Sequence, residues 1–182
     1  MSDFQWRYQG TAHKFGHDMV TDGPVMPFKY ALERVTDPAV LVPHLFEETD
    51  PAFRDRVKPG DIVVAGRNFC KGKPHVPGFI AMKALGLGVL CESMPFLSYR
   101  AAISTGVTLI AECQGVSDMV ETGDAVEVDF LTGAFANRSK GITHRFPPVP
   151  EGLRELLQHG GSSGMLKHWW ETVGKHEPAA AS

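Results

Sequence analysis

The sequence predicts an α/β fold with a parallel core, and three observations carry that expectation. Short apolar runs at 62–65, 88–92 and 107–111 alternate with segments of helical spacing at 77–85 and 96–103, the arrangement of parallel strands joined by right-handed crossovers. Ala125-Val126-Glu127-Val128-Asp129-Phe130 then alternates apolar with acidic residues, as a half-exposed strand does. After a Thr132-Gly133 turn, residues 134–137 and 142–146 extend that strand into an antiparallel meander packed beside the α/β part. At 182 residues the chain is expected to make a single domain, 1–182, with a core over about residues 6–171.

In chain order, residues 4–15 carry bulky apolar side chains around Gly10, which suits a strand with a bend or bulge. Residues 16–24 hold too many turn formers for regular structure. Asp18 and Asp22 in that turn are read first as Asx-turn residues bonding their own backbone, with cation binding or the orienting of basic groups as the alternative. Pro27 closes the turn and a short helix follows at 28–33. Thr36-Asp37-Pro38 reads as a helix cap with proline at the first helical position, and Asp50-Pro51-Ala52-Phe53 as a repeat of the device. Lys58-Pro59-Gly60-Asp61 is a turn that launches the strand at 62–65, and Gly86 and Gly106 stop the two crossover helices. Beyond Pro148 and Pro150, helices are expected at 151–158 and 165–173. A flexible Gly160-Gly161-Ser162-Ser163-Gly164 separates them, burial of Trp169 and Trp170 docks the second, with ligand stacking as their alternative role, and residues 176–182 are expected to fray.

Composition narrows the function. With 43% hydrophobic and 21% charged residues and a net charge of −3, the chain lacks the basic excess of a nucleic-acid surface. No run approaches the ~18 apolar residues of a membrane span, and the first residues lack the apolar core of a signal peptide, so a cytoplasmic protein is expected. Cys70, Cys91 and Cys113 are odd in number and far apart, which fits neither a disulfide framework nor the tight pairs of a zinc or iron–sulfur site. Cys91 and Cys113 read as small buried hydrophobes. For Cys70, in a loop, a packing or backbone role weighs at least as much as reactivity.

The stretch 60–84 has the layout of a binding site: a buried strand, a Gly-rich basic loop, then a helix. Arg67, Lys71, Lys73 and His75 crowd that loop with positive or potentially positive charge, which points to an anionic ligand.

With these residues placed, the chain resembles the small subunit of 3-isopropylmalate dehydratase, the swivelling domain of the aconitase superfamily. The resemblance rests on Thr21-Asp22 with Pro27 after it, Lys58-Pro59-Gly60-Asp61-Ile62-Val63-Val64-Ala65-Gly66, Asn68-Phe69, Gly72, Ile80-Ala81-Met82-Lys83-Ala84, Ser93, Tyr99-Arg100, Ala102-Ile103 and Gly106. Gly123-Asp124-Ala125-Val126-Glu127-Val128-Asp129 and the terminal helices continue it in order. The resemblance implies a three-layer β/β/α fold and a hydro-lyase or isomerase acting on a small di- or tricarboxylate. It further implies a large-subunit partner bearing a [4Fe-4S] cluster, with no cofactor and no metal in this chain.

The family's loop after Asn-Phe usually reads Gly-Cys-Gly-Ser-Ser-Arg-Glu-His-Ala-Pro, with a serine as base and the arginine clamping a carboxylate. Here the loop is Cys70-Lys71-Gly72-Lys73-Pro74-His75-Val76-Pro77-Gly78-Phe79, and of the family's loop only Gly72 is kept. Lys73 stands at the base serine and His75 at the arginine, which makes these two the catalytic candidates. Lys73 is a base if neighbouring cations disfavour its ammonium form, or it binds a carboxylate, the preferred reading; His75 is the other candidate base. Arg67, Asn68, Lys71, Gly72 and Arg100 are the substrate-binding candidates, with pairing to an acid as the alternative role for Arg100. If the altered loop is not catalytic, the chain is instead a swivelling-domain protein that binds an anionic metabolite or a partner protein.

Overall fold

Residues 4–174 are described by a computed structural model. Seven strands are hydrogen-bonded into one sheet: β1 (Arg7–Phe15), β2 (Ile62–Ala65), β3 (Gly88–Cys91), β4 (Thr108–Ile110), β5 (Ala125–Asp129), β6 (Ala134–Asn137) and β7 (Ile142–Arg145). Their spatial order is β4-β3-β2-β1-β5-β6-β7. The β1–β2, β2–β3 and β3–β4 pairings are parallel, and β1–β5, β5–β6 and β6–β7 are antiparallel. The crossovers are α4 (Pro77–Ala84) and α5 (Phe96–Thr105), where the helical spacing places them. The α/β class and the meander beside it are therefore as the sequence predicts.

The sheet curls at β1. Residues 7–11 of that strand pair with β5 and residues 12–15 with β2, so the partner changes between Thr11 and Ala12, just after Gly10. A Cβ at Gly10 would stand 2.7 Å from both the Asp61 carboxylate and the Gly60 carbonyl, an approach only glycine permits. Asp61 is buried and ties the corner together. It accepts the N–H groups of Thr11 at 2.8 Å and Lys58 at 2.9 Å and pairs with the buried His13 imidazole at 2.9 Å.

Burial follows the strand type. Every residue of β2 and β3 is buried, as in parallel strands covered on both faces. β5 and β6 alternate. In front of β1, Phe15 stacks on Phe46 at 4.1 Å and Phe53 meets Phe46 edge-on at 4.9 Å, which fixes the segment carrying α1 (Lys29–Leu32), α2 (Pro38–Leu41) and α3 (Phe53–Arg56).

Asp37 caps α2 as expected, accepting the Ala39 N–H at 2.9 Å with Pro38 at the first position. The second capping device is corrected. The residue before α3 is Ala52, without a side-chain cap, because the Asp50 carboxylate is taken by the Arg56 guanidinium at the far end of that turn. α6 (Val116–Met119) is a single turn, too short to show a period in the sequence.

At the C-terminal side, α7 (Glu151–Gln158) is as predicted, but α8 runs Ser162–Trp169 and continues into a π-helical turn, Trp170–Gly174. The expected flexible separator at 160–164 is thus partly helical. Its start is held by Lys83 Nζ donating to the Gly160 carbonyl at 2.6 Å and by a 2.8 Å hydroxyl bond between Ser104 and Ser162. The burial expected of Trp169 and Trp170 is also corrected. They are 44% and 54% exposed, since α8 packs on α5 and α7 while the π turn mainly contacts α8 itself. The tail at 176–182 lies outside the described residues. Among those described, no helix is long and apolar enough to cross a membrane.

Candidate active site

The C-terminal ends of β1, β2 and β3 lead into three neighbouring loops, 16–24, 66–76 and 92–95, the edge at which α/β sheets place their ligands. The middle loop is fastened by its backbone. The Arg67 N–H donates to His17 Nδ1 at 2.9 Å, the Asn68 N–H to Ser93 Oγ at 2.9 Å and the Phe69 N–H to the Ser93 carbonyl at 3.0 Å. The Cys70 carbonyl accepts the Ser98 hydroxyl at 2.6 Å and the Thr21 hydroxyl at 3.0 Å. The Lys71 N–H reaches the Met19 carbonyl at 2.9 Å, and the Thr21 N–H returns to the Lys71 carbonyl at 3.1 Å. These bonds hold Asn68 at φ 56° and Cys70 at φ 59°, left-handed values that side chains disfavour, and Gly72 follows at φ 100°.

On this frame the side chains are sorted by charge. Lys71 Nζ lies 3.3 Å from Asp18, whose carboxylate also accepts the Asn68 side-chain amide at 2.9 Å. His75 Nδ1 lies 2.7 and 2.9 Å from the two oxygens of Asp22. Arg67 is 3.9 Å from the buried Glu92, which also takes the Ser117 hydroxyl. The crowd of positive charge expected from the loop alone is therefore largely offset by acids brought from other loops. Asp18 and Asp22 orient basic groups, the alternative role in the sequence reading, rather than closing Asx turns. The Asn68 amide, then the Lys71 ammonium, holds the Asp18 carboxyl below the usual aspartate range.

Lys73 is exposed, and among the described residues its ammonium has no hydrogen-bond or ion-pair partner. The His75 N–H donates to the Lys73 carbonyl at 2.9 Å, closing a three-residue turn around Pro74 that sets Lys73 and His75 on one tight bend. Arg100 is not gathered with them. It follows Ser98 by two residues, about 200° around the helix from the side that bonds Cys70, and its guanidinium lies over the Phe96 ring at 5.6 Å.

His17, Glu92 and Ser93 were not among the expected site residues, and Asp18 and Asp22 entered only as an alternative to Asx turns. One signal in the sequence bears on two of them: Asp18 and Asp22 have the same spacing as Lys71 and His75. Both pairs join residues 53 apart, since the two loops run parallel with a bridge between Val20 and Lys71.

All three thiols are buried, and burial pushes Cys70 and Cys91 well up and Cys113 up to about 12. Among the described residues, no group of three or more His, Cys, Asp and Glu side chains is placed to hold a metal ion. The cavity that His75 lines is about 150 Å³, below the roughly 300–1,000 Å³ of ligand clefts. The loop thus presents its groups on an open edge. A larger concavity of about 600 Å³ lies over the β1–β5–β6–β7 face, but its Arg7 and Arg138 are already paired with Asp129 and Glu127.

Fold and site together define a curled α/β domain with an open loop of acid, base and cationic groups at the edge of its parallel strands. No protein-family model matches the chain. It is 37% identical over 161 residues to the 3-isopropylmalate dehydratase small subunit of Caldicellulosiruptor saccharolyticus, covering 88% of this chain and 91% of that one. It is 36% identical over 160 residues to the isopropylmalate/citramalate isomerase small subunit of Methanocaldococcus jannaschii, covering 87% and 93%. A crystal structure of a 3-isopropylmalate dehydratase from the latter organism superimposes with a TM-score of 0.82 at 34% identity, over 94% of this chain and 99% of that one. The chain belongs to the family of 3-isopropylmalate dehydratase small subunits, which are hydro-lyase subunits.

Proposed function

We propose that this chain is a cytoplasmic, single-domain small subunit that lends its 66–76 loop to a large subunit carrying a [4Fe-4S] cluster, for the dehydration or hydration of a small di- or tricarboxylate. The observation that supports this most directly is the open bend bearing Lys73, without an ion-pair partner among the described residues, next to an Asp22-paired His75, where the family keeps its substrate loop. Lewis-acid help to the leaving hydroxyl is the part of the chemistry assigned to the partner's cluster.

In this reading Lys73 binds a substrate carboxylate as a free ammonium, with Lys71, Arg67, Asn68 and Gly72 completing the loop's face toward the ligand. His75 holds the proton that leaves carbon. Arg100, on another side of α5, contacts substrate only if the partner brings the ligand to that side. The test is to purify the chain with a cluster-bearing large subunit and assay hydration of unsaturated dicarboxylates. Lys73→Ala is expected to raise KM by about tenfold or more, the worth of one charge-assisted hydrogen bond. Persistent inactivity with an intact cluster overturns the reading. Tight carboxylate binding by the chain alone would then favour a binding-only role, which the replacement of the loop's Ser-Ser-Arg by Lys73-Pro74-His75 also favours.

A further inference from the structure

We propose that Asp22 and His75 work as a unit in which Asp22 is a positioning residue and His75 Nε2 is the atom that accepts the substrate proton, replacing the serine this loop lacks. The proposal rests on the reading above and deepens it.

The donor inventory sets the direction. An ionised carboxylate only accepts hydrogen bonds, so with both Asp22 oxygens within 2.9 Å of His75 Nδ1 the ring proton sits on Nδ1. A neutral imidazole so held carries its lone pair on Nε2, which has no partner among the described residues. Carboxylates fix imidazole tautomers in this way at other catalytic sites. Lys73 on the same bend is suited to the opposite task, since an ammonium has three donors and no lone pair.

Both members are held in place. Asp22 sits in a turn closed by the Gly23 N–H donating to the Met26 carbonyl at 2.8 Å and the Met26 N–H to the Thr21 carbonyl at 3.2 Å. Thr21 in turn is bonded through its N–H and its hydroxyl to the loop that carries His75. Phe28 lies 5.4 Å from the imidazole, centroid to centroid. The side chain of His75 is 23% exposed and that of Asp22 27%, so the pair is sheltered on its inner side and open to a ligand outside.

The step balances. His75 Nε2 takes the proton from carbon, the C–H electron pair becomes the new π bond, and the hydroxyl on the neighbouring carbon leaves with the C–O pair. The proton held on His75 and the departing hydroxide together make the one water that is lost. Hydration runs the same path backwards.

The test uses the full chain, alone and in complex with its large subunit. Nitrogen NMR of the chain alone should show His75 protonated on Nδ1 with a bare Nε2, and Asp22→Asn should abolish that preference. An Nε2–H tautomer in the wild-type chain overturns the proposal. In the complex, Asp22→Asn is expected to lower kcat about a hundredfold with KM nearly unchanged, Asp22→Glu to recover part of the loss, and added imidazole to restore turnover to His75→Ala. If Asp22→Asn raises KM and spares kcat, or if His75→Ala keeps wild-type kcat, the pair is a structural tie and the proposal fails. A wild-type complex that turns over no carboxylate removes the underlying reading and the proposal with it. Failure of the pair alone shows instead as unaltered kcat in an active complex.

Discussion

In the parallel half of the sheet β2 and β3 bury every residue, whereas in the antiparallel half β5 and β6 bury every other one and β7 leaves most of its side chains in solvent. The first half is held by apolar area removed from water and close packing, which are indifferent to charge. The outer face of the second is laced by Arg7–Asp129, Arg138–Glu127 and Lys140–Asp124. The difference teaches where each half is vulnerable. Volume changes should injure the parallel half, and acid should injure the antiparallel one.

The largest effect expected is in β3. Leu90→Ala removes a side chain with no solvent exposure and should cost about 2–5 kcal/mol, whereas Thr143→Ala on the exposed β7 should stay within about 0.5 kcal/mol. Urea unfolding of the two variants measures the contrast, and equal losses would erase it. At the corner between the halves, Gly10→Ala drives a Cβ into the Asp61 carboxylate and the Gly60 carbonyl, and about 1–3 kcal/mol should be lost as the strand shifts. Thermal unfolding with separate probes in each half would show whether the corner also couples them, since a decoupled sheet would melt in two steps.

The smallest effects are electrostatic. Burial pushes the Asp129 carboxyl up, but the Arg7 guanidinium and the N–H groups of Leu131 and Thr132 outweigh it and hold it low. Arg138 holds Glu127 low, and the Glu121 N–H, with Asn137 and Lys140, does the same for Asp124. Each carboxyl thus titrates lower in the folded chain than in the unfolded one. Its contribution is complete above the ordinary carboxylate range and is lost as pH falls through the folded value. The part of the denaturation midpoint owed to these three carboxyls should therefore be constant above the ordinary carboxylate range and fall only below about pH 4. Arg7→Ala should shrink that acid-sensitive part and cost at most about 1 kcal/mol at neutral pH, less in high salt, because the arginine is mostly in solvent. A loss unchanged by salt would mean that Arg7 acts through packing.

The parallel half was legible in the sequence because its signals are local: apolar runs, glycine stops after α4 and α5, and the Asp37-Pro38 cap. The meander was legible through the alternation at 125–130. The errors arose where tertiary partners decide. Asp50 has the chemistry of a cap but lies within reach of Arg56, and the charge pair prevails. Trp169 and Trp170 have the area to dock a helix, yet α8 is already seated through its neighbours. The loop's candidates were visible one by one, but the acids that pair with Lys71 and His75 come from a loop 53 residues away, and no local propensity encodes that meeting.

The way the loop is fastened bears on how such a subunit can evolve. His17, Thr21, Ser93 and Ser98 grip backbone atoms of residues 67–71 from outside the loop, and none of those fastenings uses the side chains at 71, 73 or 75. Mutation can therefore exchange the chemical groups on display while the chain path stays put. The residues that confer this freedom are His17 and the hydroxyls of Thr21, Ser93 and Ser98, and their loss would release the path of the loop where the loss of a displayed group would not.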